Sequence, residues 1–246
     1  MNSTQSLSVE ELTSGNLVVT GRLVDASNAT LYCDLILEPE VGIESADARC
    51  HKVVYKPIAG ERPLWDFPDG NLASREVAAY LLSEFANLNL VPTTVMRDGP
   101  FGQGAVQQWI EVDPAIDVIA FAQSDDPQLR SMALFDYLTN NTDRKFGHIL
   151  LDSTGKLFGC DHGVCFHEEY KLRTVIWQFA GTPITAEENR LLNDLLRRWE
   201  SLEALLANYI SSNELGAFKT RTERLLDENQ FPFPNPEWPS IPWPPV

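Results

Sequence analysis

The chain has 246 residues, 43% of them hydrophobic, so it can bury a sizeable core either as one domain or as two small lobes. Its formal net charge of -16 would repel phosphate backbones and anionic lipid headgroups, which proteins normally bind with clustered lysine and arginine. We therefore expect neither nucleic acid nor membrane as a partner.

The N-terminal stretch MNSTQSLSVEELTSG contains no basic segment followed by an apolar one. No apolar run in the sequence approaches the roughly 18 residues that a membrane-spanning helix needs. These features predict a cytoplasmic protein.

The first half of the chain is predicted to form a β-sheet with one helix. Residues 16–37 hold two β-rich runs, NLVVTGRLV and ATLYCDLIL, separated by the turn-forming DASN, which indicates a hairpin. A third strand follows at CHKVVYKPI, and NLASREVAAYLLSEFANL has apolar residues at helical spacing after Asn71, a potential N-cap. LVPTTVMRDG and GAVQQWIEV then indicate a second hairpin, which predicts the order β-β-β-α-β-β.

The second half is predicted to be mainly helical. DPQLRSMALFDYLTNN has a helical pattern, and HILLD and LFGCDHG are short strands joined by STGK. Residues 185–228 are helical again, and Thr185 and Glu188 have the spacing of a capping box at their start.

The final residues, 231–246, include seven prolines and are predicted to be extended and polyproline-like. Their aromatic residues Trp238 and Trp243 are expected to pack against the body of the protein. These patterns divide the chain into an N-lobe, 1–112, a C-lobe, 113–230, and the proline-rich tail.

The stretch GCDHGVCFH, residues 159–167, has the composition of a metal site. Structural zinc sites usually combine Cys-x2-4-Cys and His-x3-5-His pairs separated by a loop, which Cys160, Cys165, His162 and His167 match only loosely. Side chains alternate along a strand, so these four groups would not easily converge. A zinc knuckle is therefore the less favoured interpretation, and the four cysteines of the chain are too few for a disulfide framework.

A different pattern runs through NNTDRKFGHILLDSTGKLFGCDHG. A loop, a strand, a turn and a second strand lead to an Asp-x-Gly at Asp161 and Gly163, while Asp143 and His148 lie five positions apart. This arrangement resembles the catalytic and metal-binding loops of the protein-kinase-like superfamily. The resemblance implies that Asp143 accepts the proton of an attacking hydroxyl and that Lys145 stabilises the transferred phosphoryl group. It also implies that His148 and Asp161 bind Mg²⁺ or Mn²⁺.

The first half of the chain supplies the other parts of the same pattern. VVYK, at the end of the third strand, resembles the V-A-I-K strand of kinases and places Lys56 where a lysine holds the α- and β-phosphates of ATP. Glu76, twenty residues later on the helix, is implied as its ion-pair partner. QQWIEV falls at the hinge between lobes, where backbone groups of Gln108, Trp109 and Ile110 would face the adenine.

The resemblance covers residues 16–180 and favours one branch, the atypical kinases related to phosphatidylinositol 3-/4-kinases and HipA-type kinases. The DR at Asp143-Arg144, the lack of an A-P-E motif after Asp161 and the helical C-terminal part are typical of that group. The whole sequence is similar to an actinobacterial group of phosphatidylinositol-kinase-related proteins. The resemblance implies an α+β, two-lobed protein-kinase-like fold with a β-rich N-lobe, an α-rich C-lobe and ATP between them.

Two features depart from the kinase pattern. The first hairpin has no Gly-x-Gly-x-x-Gly, so phosphate contacts would have to come from DASNAT, through Ser27, Asn28 and Thr30. His148 stands in place of an asparagine, and an imidazole is a softer ligand than an amide oxygen, which suits Mn²⁺ or Zn²⁺ better than Mg²⁺.

The sequence therefore predicts an ATP-dependent phosphotransferase that acts on a hydroxyl of a small molecule or protein, and the acidic charge argues against a lipid acceptor. Each residue also has a structural interpretation: Lys56 as a strand-end lysine, Glu76 as a solvated helix charge, and the two aspartates as turn-forming carboxylates. Their joint order favours the enzyme. The alternatives are a pseudokinase that binds nucleotide without transfer, and nucleotidyl transfer from ATP bound in reverse.

Overall fold

The N-lobe is built on a five-stranded antiparallel sheet. In the computed structural model, which describes residues 6–23, 28–38, 49–67 and 70–246, the strand order is β1-β2-β3-β5-β4. The elements of this lobe are α1 (Val9–Ser14), β1 (Asn16–Arg22), β2 (Leu31–Leu37), β3 (Arg49–Pro57), α2 (Leu72–Phe85), β4 (Thr94–Gly99) and β5 (Gly102–Gln108). The predicted β-β-β-α-β-β order is confirmed, and α1 is an addition to it.

The helix α1 has six residues, too few for a hydrophobic repeat to reveal it in the sequence. Its start is a capping box in which Ser8 Oγ accepts a hydrogen bond from the Glu11 amide and the Glu11 carboxylate accepts one from the Ser8 amide. Leu12 is fully buried in the cluster beneath the sheet. The helix therefore closes one end of the N-lobe core.

Strand β3, which carries Lys56, is paired with a neighbouring strand on each side. Alternating residues of β2 are buried, which anchors β2 in the core, and β3 pairs with β2 and with β5. Helix α2 begins at Asn71, whose side chain accepts a hydrogen bond from the Ser74 amide, and most of its residues are buried. Lys56 on β3 and Glu76 on α2 are thereby fixed on two rigid elements.

The C-lobe is mainly helical, as predicted. Its elements are α3 (Val118–Ala122), α4 (Pro127–Thr139), β6 (Ile149–Leu151), β7 (Leu157–Gly159), α5 (Ala186–Arg197), α6 (Trp199–Leu206) and α7 (Ser212–Glu228). The helical region predicted for 185–228 is divided into α5, α6 and α7, and the capping box of Thr185 and Glu188 opens α5. The β-rich first lobe and α-rich second lobe confirm the predicted α+β class, while the exact lobe boundaries stay a prediction.

A buried ion pair joins the two lobes. Arg75 on α2 contacts the carboxylate of Glu214 on α7, and its Nε donates to the Cys165 carbonyl at 3.1 Å. Both side chains of the pair are at least nine-tenths buried. Because a buried charge is costly without its partner, this pair fixes the position of α2 against the C-lobe.

The proline-rich tail, residues 231–246, lies against the C-lobe. Trp238 is half-buried and its ring centre lies 5.6 Å from the Arg173 guanidinium, so its predicted packing is confirmed. The prediction for Trp243 is wrong, because that residue is 88% exposed. The preceding Pro242 is buried and takes the inward position in its place. Across the described ranges, no helix is long and apolar enough to cross a membrane.

Two glycines give opposite stability predictions. A Cβ at Gly104 on β5 would lie 2.7 Å from Pro57 Cα, so Gly104→Ala should destabilise the fold by about 1–3 kcal/mol, as overpacking does. Gly216 is exposed inside α7 with nothing near its Cβ position, so Gly216→Ala should stabilise it by about 0.5–1 kcal/mol. Urea unfolding of both variants measures the two changes in the free energy of unfolding. Equal midpoints would contradict the assigned close approach of β5 to β3.

Candidate active site

Three elements meet at Lys56. Its Nζ contacts the carboxylate of Glu76 and lies 2.8 Å from Asp161 Oδ1. The second oxygen of Glu76 accepts a hydrogen bond of 3.0 Å from the His162 amide. β3, α2 and the loop after β7 are therefore joined through one lysine.

The charges of this group are strongly coupled. Burial opposes the charge on Lys56, but Asp161 and Glu76 outweigh it and raise the pKa of Lys56 above its usual range. Lys56 in turn holds the pKa of Asp161 well below its usual range. Asp161 has a φ of 59°, a left-handed conformation that is uncommon outside glycine. The carboxylate is thus ionised and held in a constrained position, which is common at functional sites.

Residues 143–148, named the catalytic loop for their resemblance to that loop of kinases, face this group. Lys145 Nζ lies 3.3 Å from Asp143 Oδ2, and His148 Nε2 lies 3.4 Å from Asp161 Oδ2. His148 Nδ1 is 2.8 Å from the Asp143 carbonyl oxygen, which can only accept a hydrogen bond. Nδ1 must therefore carry the proton, and in the neutral ring Nε2 keeps a free lone pair. Burial lowers the pKa of His148, although the Asp161 carboxylate raises it in part, which favours the neutral imidazole.

A divalent cation fits the group formed by Asp143, His148 and Asp161. Each offers one ligand atom, and these atoms lie within 4.8 Å of one another. The lone pair of His148 Nε2 faces the ionised Asp161 carboxylate, a juxtaposition that a bound cation would relieve. The donor set, one imidazole nitrogen and carboxylate oxygens, suits Mn²⁺ and admits Mg²⁺.

The zinc interpretation is not supported. Within the part of the chain that the structure describes, no three of Cys160, His162, Cys165 and His167 converge as metal ligands, and all four cysteines are free. His162 is fully buried, with its Nε2 2.7 Å from an Arg144 nitrogen. His167 instead contacts the Asp66 carbonyl across the lobes, at 2.6 Å.

Arg144 is a central residue whose role sequence patterns did not predict. It is fully buried, pairs with the fully buried Asp136 on α4, and donates to the carbonyls of His148 and Cys160 at 3.1 Å. One guanidinium thus binds the backbone of the catalytic loop and of the loop that carries Asp161. The DR dipeptide in the sequence is the one signal that pointed to it.

A cavity of about 620 Å³ opens between the lobes beside this group. Of the predicted site residues, ten line it: Asn28, Thr30, Lys56, Glu76, Gln108, Trp109, Ile110, Lys145, His148 and Asp161. Asp143 does not line the cavity, although it belongs to the metal-type group next to it. Ser27 lies outside the described residues.

The backbone amides of residues 108–110 differ in whether they already have a hydrogen-bond acceptor. The Gln108 amide already donates to the Thr93 carbonyl at 2.9 Å, and the Trp109 amide donates to the Lys52 carbonyl at 3.1 Å. The Ile110 amide is the donor of this stretch for which the described chain provides no acceptor. The expectation that backbone groups of 108–110 face the nucleotide stays a prediction, in which the Ile110 amide is the available donor and the Trp109 ring lies in the cavity wall.

Asn28 and Thr30 also line the cavity, and Asn28 Oδ1 accepts a hydrogen bond from the Arg62 amide; their contact with phosphate stays a prediction. Glu61, which sequence patterns did not single out, also lines the cavity. Its two oxygens accept the Leu72 and Ala73 amides at the start of α2. Because both of its oxygens bind these amides, the Glu61 carboxylate holds the start of α2 beside the cavity.

Comparisons with known proteins identify proteins that resemble this chain. A model of the family "Phosphatidylinositol 3- and 4-kinase" matches residues 126–206, which include the catalytic loop and the loop of Asp161. Protein Rv2133c of Mycobacterium tuberculosis is 40% identical over 272 aligned residues, which cover 95% of this chain and 93% of that protein.

Solved structures share the fold at low sequence identity. Hydra Fam20, solved with sugar, matches with a TM-score of 0.55 and 12% identity, covering 92% of this chain and 91% of that one. The Golgi casein kinase gives 0.52 and 11%, covering 92% and 78%, and the Helicobacter pylori proinflammatory kinase CtkA gives 0.51 and 9%, covering 89% and 94%. The predicted kinase-like fold is confirmed. The chain belongs to the family of Protein Rv2133c, and its residues 126–206 match the phosphatidylinositol 3- and 4-kinase model.

Proposed function

We propose that this protein is an ATP-dependent phosphotransferase that transfers the γ-phosphoryl group to a hydroxyl of a small molecule or protein. The observation that carries the proposal is the junction of Lys56, Glu76 and Asp161 beside a His148 Nε2 whose lone pair faces Asp161. The net charge of -16 argues against an anionic lipid as acceptor.

Each side chain has a role in binding ATP. Lys56 binds the α- and β-phosphates, and Glu76 keeps Lys56 in place. Asn28 and Thr30 lie on the phosphate side of the cavity, while the Ile110 peptide meets the adenine. Asp161 and His148, with Asp143 beside them, would hold Mg²⁺ or Mn²⁺, which neutralises phosphate charge when bound.

The transfer step assigns the proton to Asp143. The acceptor oxygen forms a bond to the γ-phosphorus, the bond from that phosphorus to the β,γ-bridging oxygen breaks, and ADP leaves. The acceptor's proton passes to Asp143, whose pKa burial raises even though Lys145 and His148 oppose the increase. Lys145, 3.3 Å from Asp143 Oδ2, is placed to stabilise the charge on the moving phosphoryl group.

Replacing Lys56 tests the nucleotide site. Lys56→Met should reduce ADP formation by at least about a hundredfold, because the phosphates lose a charged hydrogen-bond donor. Lys156→Met is the matched control, since Lys156 is exposed and does not line the cavity. Turnover is measured by ADP release. Equal losses in the two variants, or none in either, would contradict the assignment.

His148 gives a prediction about metal preference. His148→Asn replaces an imidazole nitrogen with an amide oxygen, so the ratio of Mg²⁺-supported to Mn²⁺-supported turnover should rise by about tenfold. Single-turnover rates with each metal measure the ratio. An unchanged ratio in a folded variant would show that His148 does not contact the metal.

The second candidate is a pseudokinase that binds nucleotide without transferring phosphate. It is favoured by the histidine at position 148 and by the missing glycine-rich loop. A thermal shift with ATP and each metal, followed by an assay for ATP turnover, separates the two functions. Binding without turnover would establish the pseudokinase.

A further inference from the structure

The proline-rich tail contacts the catalytic loop directly. The Phe146 amide, in the middle of that loop, donates a 2.8 Å hydrogen bond to the carbonyl of Pro245. The tail itself does not line the cavity between the lobes. Any effect of this contact on the site must therefore act through the loop.

A second contact reaches the loop through a neighbouring segment. Ser240 O accepts the Thr174 amide at 3.0 Å and the indole Nε1 of Trp177 at 2.8 Å. Thr174 forms a parallel bridge with Arg144, in which the Arg144 amide donates to the Arg173 carbonyl. The tail thus also braces the strand-like segment that pairs with the catalytic loop.

A third contact acts at the start of the loop. The Trp238 ring lies 5.6 Å from the Arg173 guanidinium, whose Nε donates to the Thr142 carbonyl at 2.8 Å. The Arg173 amide donates to the Asn141 carbonyl at 2.9 Å. Trp238 therefore fixes the arginine that holds the chain immediately before Asp143.

The composition of the tail suits these contacts. Proline has no N–H, so a proline-rich segment presents carbonyl acceptors with few competing donors, and the donors it meets include the Phe146 and Thr174 amides and the Trp177 indole. Such a segment is also restricted to extended conformations before it binds, which lowers the entropic cost of ordering it.

We propose that the tail is a positioning segment for the active site, which holds Asp143 and His148 beside Asp161 by fixing the catalytic loop at three points. The proposed phosphotransfer is needed only for the effect on turnover, because the effect on loop order and metal affinity is independent of it. Removing the Pro245 contact should loosen Phe146 and weaken the metal site without altering the nucleotide cavity.

The test is a chain ended after Pro242, compared with the full chain and with Trp243→Ser. The control removes an exposed ring and keeps the Pro245 carbonyl. In the shortened chain the Phe146 amide should exchange its hydrogen at least about tenfold faster, while the Arg144 amide stays protected. Mn²⁺ affinity should fall by about tenfold, as it does when the contacts that orient a metal ligand are lost. Turnover should show a lower kcat with the KM for ATP unchanged.

Unchanged Phe146 exchange, or unchanged Mn²⁺ affinity despite faster exchange, would overturn the proposal. If the shortened chain does not fold, the variant Trp177→Phe tests the proposal instead, because it removes one of the two donors to Ser240 O. Unaltered hydrogen exchange at the Thr174 amide in that variant would also overturn the proposal. If shortening the chain produces these exchange and affinity changes but the full chain forms no ADP, the phosphotransfer reaction is contradicted and the positioning role remains supported.

Discussion

Replacing Asp161 with asparagine is expected to reduce metal-dependent ATP turnover by about a thousandfold or more, because the change removes both a metal ligand and the charge that holds Lys56. The side chain keeps its shape. It is 51% exposed, so the fold should remain intact, with a stability change of about 1 kcal/mol or less.

The matched control is Asp227→Asn, an exposed carboxylate on α7 that does not line the cavity. Turnover is measured with ATP and either Mg²⁺ or Mn²⁺, and folding by thermal denaturation. If a folded Asp161→Asn variant keeps the turnover of the parent, Asp161 does not hold the metal and the assignment of the site fails.

The largest effect on stability is expected at Arg144. Arg144→Met leaves Asp136 as a buried charge without its cation, which typically costs about 3–5 kcal/mol. The same change frees the His148 and Cys160 carbonyls that Arg144 binds. The free energy of unfolding, measured in urea, should therefore fall by a large part of the total stability of the protein.

A double variant distinguishes charge from packing. Arg144→Met combined with Asp136→Leu removes both buried charges, so it should recover part of the stability that Arg144→Met loses, while turnover stays low because the two loops are no longer joined. If Arg144→Met unfolds at the same urea concentration as the parent, the buried pair does not support these loops.

The sequence was sufficient for the parts of the site that local patterns mark. Lys56 lies near the end of the predicted third strand and Glu76 lies on an apolar-periodic helix, so both positions follow from secondary structure together with the kinase resemblance. Asp143, His148 and Asp161 were placed by their spacing and by the two short strands β6 and β7. The prediction that these three residues meet in space rests on that resemblance, because no local pattern specifies which loops face each other.

The remaining parts depend on contacts between distant segments. Glu61 binds the start of α2 through backbone amides, and Arg144 binds backbone carbonyls, so neither contact depends on a side-chain pair that spacing would reveal. The Gln108 and Trp109 amides already donate hydrogen bonds to carbonyls of other segments, which sequence alone does not show. The exposure of Trp243 follows from which side of the tail meets the C-lobe, and composition carries no information about that.

The most direct test of the account uses enzyme in excess over ATP labelled at either the α- or the γ-phosphorus, with Mn²⁺ and a heat-treated cell extract as the source of acceptors. We predict that the γ-label leaves ATP for an acceptor while the α-label appears in ADP, and that Asp161→Asn shows neither change. Intact ATP in the parent, the same ADP from parent and variant, or α-label transferred to an acceptor as a nucleotidyl group would each contradict phosphoryl transfer at this site.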